Sequence, residues 1–457
     1  VCSSDLKYFV RRMYMRKSKL ITLAVILALV MPLAAWATGQ DSGSDVVKGD
    51  LSWYVYGWNP AEVTVYNAQA ESFMAKNPDI NIEVVPVPDD WSGKINTMIA
   101  SGNAPDVWFG GPNPDSEKTM YDFTDYVNSI DIDYSVYQFP GLAEAALVYP
   151  LDGGIYGLPT GSVQFGTLAY SVKLMKDNGL QEPSEPYPRQ LSIDDFLEYA
   201  RKIKKDLDGD GQTDIYGSGY LYYGWIVAGK GSGWFPDAYY EQWDENTTWT
   251  QPAVLEAMQF ISDGHHKEGY ALPFLTENLD QWFVQDKVGF HTDHGGYRWP
   301  VFNEVPTFDW DICSLPVQKE FIPLTYEAGM GVTNAVSKDT KYPDAAWEFI
   351  KYQAWDMEYH THAMDLGLSG PLKASVKKFI EESEKPKHIA YTVEATGAVT
   401  TSAPEDPTKV VTWNCWGPLW NEQDAFYAGD ESAEDFVERM QVLWAEIIIE
   451  GKELAKE

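Results

Sequence analysis

A two-domain α/β fold is what three features of this sequence predict. Strands and helices alternate near its start, the links between them are short, and its 457 residues exceed what one core usually holds. "LSWYVYGWN" (51–59) reads as a buried strand ending at Gly57, and Ala61 to Lys76 as a helix. "NPD" (77–79) turns the chain into a second strand, "INIEVVPVP" (80–88). "WSGKINTMIASG" (91–102) places Ile95, Met98 and Ile99 on one helical face and stops at Gly102. "PDVWFGG" (105–111) is a third strand. Short links in this order imply right-handed crossovers and a parallel, doubly wound sheet. Such sheets take ligands beyond the carboxyl ends of their strands, which here carry Trp58, Asn59, Gly110, Gly111 and Asn113.

The next segment, 153–180, reads as two short strand-like runs flanking Pro159 to Gly161, then a helix ended by Gly179. "EPSEPYPRQL" (182–191) is a proline-rich loop. "SIDDFLEYARKIKKDL" (192–207) is a helix with Ser192 as cap, Asp195 at the capping-box position, and Ile193, Phe196, Leu197, Ala200 and Ile203 on one face. Helices and short strands alternate to about Pro316, and Ser432 to Lys456 is mostly helical.

The start of the sequence reads as a leader. "VCSSDL", back-translated as GTG TGC TCT TCC GAT CT, resembles the end of a sequencing adapter, and residues 1–14 read as an artefact. From Met15, the basic Arg16, Lys17 and Lys19 precede an apolar run from Leu20 to Leu33 and the small-x-small Ala35-Trp36-Ala37. That reads as a secretory signal peptide, with cleavage expected after Ala37 and no cysteine following to mark a lipoprotein. The expected location is therefore periplasmic or extracellular. Removing residues 1–37 takes away Lys7, Arg11, Arg12, Arg16, Lys17 and Lys19 but only Asp5, so the mature chain is more acidic than the whole, whose net charge is −34. Such a field disfavours nucleic acid, anionic lipid and polyanionic ligands. Cys313 and Cys415 are the mature cysteines, and two residues do not make a disulfide framework. The 18 tryptophans, Trp36 included, are numerous enough to furnish flat apolar surface for a sugar as well as core.

"DLDGDGQTDIYG" (206–217) carries the clearest local chemistry. Asp206, Asp208 and Asp210 stand at positions 1, 3 and 5 of an EF-hand-like loop, Gln212 at 7, and Asp214 at 9, with Gly211 at the sharp turn. Hard oxygen donors at this spacing suit a structural Ca2+, the Gln212 carbonyl included. Gly217 stands where the bidentate glutamate of such loops belongs, and a ligand from elsewhere in the fold could replace it. The bland alternative is an acidic turn that ends a helix. "GWIVAGKG" (224–231) mimics a phosphate loop but ends in glycine where Mg2+ needs a hydroxyl, and "HTDH" (291–294) reads as a strand end facing a cleft rather than zinc. No H-E-x-x-H or G-x-S-x-G pattern occurs.

"INTMIASGNAPDVWF" (95–109), "IYGLPTGSVQFGTLAYSVKLMKDNGL" (155–180), "VGFHTDHGGYRW" (288–299) and "EAGMGVTNAVSKDTKYPDAAWEFIKY" (327–352) resemble, in order, the family 1 extracellular solute-binding proteins, the maltose-binding-type receptors of ATP-binding-cassette importers. "GGYRW" (295–299) departs from the Gly-x-Trp frequent there. The resemblance implies the type II periplasmic-binding-protein fold: two lobes, each a mainly parallel sheet flanked by helices, closing by a hinge. Residues 38–160 and 320–367 would form the N-terminal lobe, 161–319 and 368–457 the C-terminal one, with crossings near Thr160, Leu315–Pro323 and Gly367–Pro371. It also implies a non-enzymatic receptor, expected to be a monomer, that passes a carbohydrate to transmembrane permease subunits. By position, Trp58, Asn59, Asn113, Gln164 and Glu327 would contact the solute from one side, and Asp293, His294 and Tyr297 from the other. Trp413 and Trp416 in "TWNCWGPLW" (412–420) join them, as do Trp225 and Trp234 in a glycine-rich loop. The rivals are a secreted glycoside hydrolase, whose paired carboxylates need not be close in sequence, and the same fold binding a polyamine.

Overall fold

The computed structural model describes residues 46–57, 60–112, 116–149, 152–161, 167–186, 191–222, 249–274, 278–292, 298–316, 331–391 and 422–454. The chain divides into two compact units, Val1–Val46 and Val47–Glu457, and every element below belongs to the second.

β1 (Gly49–Tyr56) turns Leu51, Trp53 and Val55 into the core, alternating as a half-buried strand must. α1 (Pro60–Lys76) starts on a proline, whose missing N–H costs nothing there, and buries Val65, Tyr66, Ala70 and Phe73. β2 (Ile80–Val87), α2 (Trp91–Ala100) and β3 (Val107–Phe109) complete the expected βαβαβ unit. β1 pairs in parallel with both β2 and β3, and β8 (Asn334–Val336) adds to β3 antiparallel, so the order is β2-β1-β3-β8. The fully buried Trp53 locks this sheet: its indole N–H donates to Asn334 Oδ1 at 2.9 Å, and its ring meets Tyr66 and Phe349 edge-on at 5.5 and 5.0 Å. Phe349 belongs to α6 (Pro343–Trp355), which closes the same core.

The second sheet has the order β5-β6-β4-β7, built from β4 (Thr167–Ser171), β5 (Tyr216–Ser218), β6 (Val288–His291) and β7 (Trp310–Ser314). β5 and β6 are parallel, while β4 is antiparallel to β6 and to β7. β5, β6 and β7 therefore run one way and β4 the other. Among the described residues each sheet holds three co-directional strands and one reversed strand, β4 or β8, which is in both cases the first described strand after the chain passes between sheets. The helices around the second core include α3 (Ile193–Ile203), α4 (Pro252–Ser262), α5 (Leu279–Val284), α7 (Lys373–Glu382) and α8 (Ala433–Leu454). The expected capping box is formed: Asp195 N–H donates to Ser192 Oγ at 3.0 Å and Ser192 N–H to Asp195 Oδ2 at 3.5 Å.

One expectation fails. The run 153–158 is not a strand: Gly157 lies so near the chain returning before β8 that a Cβ would stand 2.7 Å from Val332 Cγ1. Just beyond it, Thr160 and Gly161 both donate their N–H to the Gly331 carbonyl at 3.1 Å, so this backbone finds its partners in the returning chain. No helix among the described residues is long and apolar enough to cross a membrane. Cys313 is buried in β7, and Cys415 lies outside the described residues.

Candidate functional site

Parallel strands end at one edge of their sheet, and three half-buried rings gather at that edge of the first one. Tyr56 closes β1, Trp91 opens α2 just after β2, and Phe109 closes β3. The Tyr56 ring lies 4.5 Å from Trp91 and 5.0 Å from Phe109. Gly57 N–H still pairs with the Val87 carbonyl at 3.0 Å, so the strand holds its register to its last residue. The sequence reading missed this trio. Trp91 was legible only as the first residue of a helix, although an indole directly after a strand end was the available signal. Trp58, Asn59 and Asn113, the residues expected here, lie outside the described residues.

The second sheet presents the carboxyl ends of β5, β6 and β7 in the same manner. β6 ends in buried His291, followed by Thr292, whose hydroxyl donates to the Tyr220 carbonyl at 2.7 Å. His291 Nε2 bonds Asp280 Oδ1 at 2.8 Å, and the Arg298 guanidinium stands 3.5 Å from the other oxygen. Burial pushes the Asp280 carboxyl up, but the His291 hydrogen bond and the charges of His291 and Arg298 outweigh it and hold the group below the usual range. Tyr220, which follows β5, packs its ring 5.2 Å from Phe274. Asp293, His294 and Tyr297 follow this strand end in sequence. With Gln164, Trp225, Trp234, Glu327, Trp413 and Trp416 they lie outside the described residues.

Two chain segments, one after β3 and one just before β8, lie side by side. Thr160 Oγ1 and Thr333 Oγ1 are 2.6 Å apart, and Thr333 N–H also reaches Thr160 Oγ1 at 3.2 Å. Gly111 passes the Val332 carbonyl so closely that a Cβ would sit 2.8 Å from it.

The acidic loop is fully described up to β5. Carboxylate oxygens of Asp206, Asp208 and Asp210, all exposed, lie within 4.8 Å of one another. Backbone N–H groups aim them: Gly209 and Gly211 donate to the two Asp206 oxygens at 2.7 and 2.9 Å, Asp210 to Asp208 at 3.1 Å, and Gln212 to Asp210 at 2.7 Å. Gly209 and Gly211 have φ of 79° and 89°, which favour glycine. Leu207 N–H donates to Asp214 Oδ2 at 2.7 Å, bringing position 9 back towards position 2. A carboxylate oxygen that accepts one N–H keeps a lone pair for a cation, so the set fits a hard divalent ion. The twelfth position shows why no glutamate stands there. Gly217 is buried against α3, and a Cβ on it would fall inside the Ala200 backbone.

Residues 57–354 match the family model for bacterial extracellular solute-binding proteins. No curated relative matches the chain. Among solved structures, the ABC substrate-binding protein Lmo0181 of Listeria monocytogenes, in complex with cycloalternan, superposes with a TM-score of 0.67 at 18% identity, covering 89% of this chain and 99% of that one. The maltose/maltodextrin-binding domain of MalE from Bdellovibrio bacteriovorus, bound to maltotriose, gives 0.63 at 15% identity, with 88% and 100% covered. The GacH receptor of Streptomyces glaucescens, studied with acarbose, gives 0.63 at 18% identity, with 88% and 99% covered. At these identities the likeness is one of fold.

Proposed function

We propose that this chain, which belongs to the bacterial extracellular solute-binding protein family, captures a sugar or oligosaccharide and delivers it to the permease subunits of an ATP-binding-cassette importer. The family is one of extracytoplasmic binding proteins, and the two-sheet α/β architecture is its type II fold. The observation that carries the carbohydrate reading is the half-buried trio Tyr56, Trp91 and Phe109 at the ligand-binding edge of the first sheet. Flat apolar rings at a strand end suit the apolar face of a pyranose, and the carboxylates and amides expected beside them suit its hydroxyls. Neighbours of the same fold hold maltotriose and cycloalternan, which supports this solute class. In this reading the lobes 38–160 with 320–367 and 161–319 with 368–457 close on the solute, which shifts an existing open–closed equilibrium only through contacts made better when closed. The crossings of this reading lie near Thr160, Leu315–Pro323 and Gly367–Pro371, and the hydrogen bond between Thr160 and Thr333 holds the first of them against the strand that returns at β8.

Trp91→Ala, Trp58→Ala and Trp416→Ala are each expected to weaken binding at least tenfold, about 1.4 kcal/mol, with melting unchanged. Calorimetry with the best saccharide of a panel measures it, and full affinity in all three variants would remove these rings from the site. The secreted product is expected to begin near Thr38, after Ala35-Trp36-Ala37; an intact start at Met15 in secreted material, by mass spectrometry, would refute that.

The acidic loop in turn supports a structural Ca2+ held by Asp206, Asp208, Asp210, Asp214 and the Gln212 carbonyl, with water in place of the missing glutamate. A chelator is then expected to lower the melting temperature of the parent protein. Asp208→Ala should start from that lower value and show no further loss. Equal melting of the parent with and without chelator would rule the ion out.

A further inference from the structure

At the carboxyl end of the second sheet, one carboxylate joins three elements. Asp280 stands in the first turn of α5, bonds His291 Nε2 at the end of β6 at 2.8 Å, and faces the Arg298 guanidinium at 3.5 Å with its other oxygen. The His291 ring lies buried and edge-on between Phe283 and Phe302, at 5.1 and 5.0 Å. Its Nδ1 has no hydrogen-bond partner among the described residues, so the neutral ring keeps its one N–H on Nε2, where Asp280 accepts it. The start of α5 lies close against the end of β5: a Cβ on Gly219 would stand 3.0 Å from the Leu279 methyls and 2.6 Å from Thr292 Oγ1. Arg298 is placed from the other direction. It stands at the start of the short helix Trp299–Asn303, and the buried Trp299 ring stacks on Phe379 at 6.1 Å and 5°. The Arg298 side chain is 44% exposed and that of Asp280 only 22%, so the guanidinium is the part of this pair that meets solvent, and His291 holds the carboxylate from behind. The fold gains little from the arginine, because His291 already satisfies one Asp280 oxygen and an ion pair this exposed contributes little.

We propose that Arg298 donates to hydroxyl oxygens of the solute, and that Asp280 is a positioning residue that holds its guanidinium in place to do so. The proposal rests on the carbohydrate reading above and adds to it a polar contact at the second sheet. A guanidinium carries its five N–H groups in one rigid plane, so an edge fixed by a carboxylate fixes the direction of the others. Two hydroxyls on adjacent carbons of a pyranose lie close enough for one such fork to reach both oxygens. Burial alone would favour a neutral Asp280, but the His291 hydrogen bond and the charges of His291 and Arg298 keep it ionised at neutral pH. The fork is therefore ordered before the solute arrives, and less freedom is lost on binding. A guanidinium here also selects the solute. It repels the ammonium groups of a polyamine, whereas a neutral sugar meets no such repulsion. In this arrangement Asp280 does not touch the solute and acts through Arg298.

The test is calorimetry of the whole protein with the best saccharide of a neutral panel, with thermal melting run beside it. Arg298→Gln is expected to weaken binding about tenfold with melting unchanged. Arg298→Lys, which keeps the charge but not the fork, should recover only part of that loss. Asp280→Asn leaves His291 an acceptor and removes the charge that holds Arg298. It should weaken the parent about tenfold yet add less than about twofold to Arg298→Gln, because the two residues act as one unit. A carboxylate that served only the fold would lower melting and leave affinity alone in both backgrounds. Should Asp280→Asn melt early, Arg298→Gln decides alone. Parent-like affinity in Arg298→Gln would overturn the proposal and leave the carbohydrate reading standing. Equal losses from Asp280→Asn with and without Arg298 would overturn it too, since Asp280 would then act without the arginine. A parent that binds no saccharide of the panel would remove both the carbohydrate reading and this contact.

Discussion

Taking the protein from pH 7 to pH 5 is expected to remove about 4 kcal/mol of folding stability, because two buried histidines must stay neutral in the native state. Burial pushes His265 down to about 4, against a weaker upward pull from its backbone hydrogen bond, and the neighbouring His266 charge lowers it further. Burial does the same to His360, again to about 4, only partly offset by the Ala354 carbonyl and by Asp356. The site is close-packed: His265 Nε2 lies 3.0 Å from the Leu221 amide, which donates to it when that nitrogen is bare, and 3.3 Å from the Leu221 carbonyl. His360 spends its own N–H on the Ala354 carbonyl at 3.2 Å in a site only 1% exposed. Both folded values lie below the unfolded value near 6.5, so the unfolded chain takes up protons first as pH falls. Stability is full above about 6.5 and drains away towards 4, at up to 1.36 kcal/mol per pH unit for each group, roughly 2 kcal/mol each by pH 5. Carboxylates held low, such as Asp280, lose their contribution only at lower pH. Urea titrations at both pH values measure the loss. His265→Gln and His360→Gln should each flatten it by about half, and an unaltered pH dependence in both variants would show the loss comes from other groups.

Gly217→Ala is expected to cost about 3 kcal/mol, at the upper end for overpacking, because the obstacle is backbone rather than a flexible side chain. Gly217 of β5 lies beside Gly289 of β6, and a Cβ on Gly289 would approach the Gly217 carbonyl to 2.6 Å and Ile203 Cδ1 to 2.7 Å. The two glycines let α3 settle directly on the sheet through Ala200 and Ile203. Gly217→Glu, which restores the formal calcium ligand, should therefore destabilise rather than improve the loop. Gly141→Ala is the control: nothing lies within 4 Å of its Cβ in a helix, and alanine there should be neutral or slightly stabilising. A Gly217→Ala urea midpoint equal to the parent's would mean that helix and sheet are less closely packed than the structure has them.

The first sheet was legible because its signals are local. Period-2 burial in β1, period-3.6 burial in α2 and the turn at Asn77 to Asp79 each depend on a few neighbouring residues. The helix beginning at Ser192 was readable from its cap and face alone, and the structure forms both halves of its capping box. Contacts between distant segments were not legible. The insertion of β4 between β6 and β7 depends on pairings such as Leu168 with Cys313, which no local pattern encodes. The run 153–158 has strand-like composition, yet the returning segment around Val332 takes up its surface. Gly217 looked like a defect in a metal loop, whereas its identity is imposed by a helix packed from the other side. The convergence of Asp206, Asp208 and Asp210 was legible from their spacing. The trio of Tyr56, Trp91 and Phe109 required three strand ends to be placed in one plane.

Isothermal titration with neutral oligosaccharides, followed by analysis of the mixture for shorter products, tests the central claim most directly. The panel should hold malto-, manno- and cyclic gluco-oligosaccharides, with spermidine as the non-sugar arm. The account predicts that at least one saccharide binds with a stoichiometry of one, is recovered intact, and at 100 times its dissociation constant raises stability by about 2.7 kcal/mol. Release of shorter sugars would make the protein a hydrolase. Binding of spermidine with no saccharide bound would keep the fold and the family but contradict the carbohydrate reading.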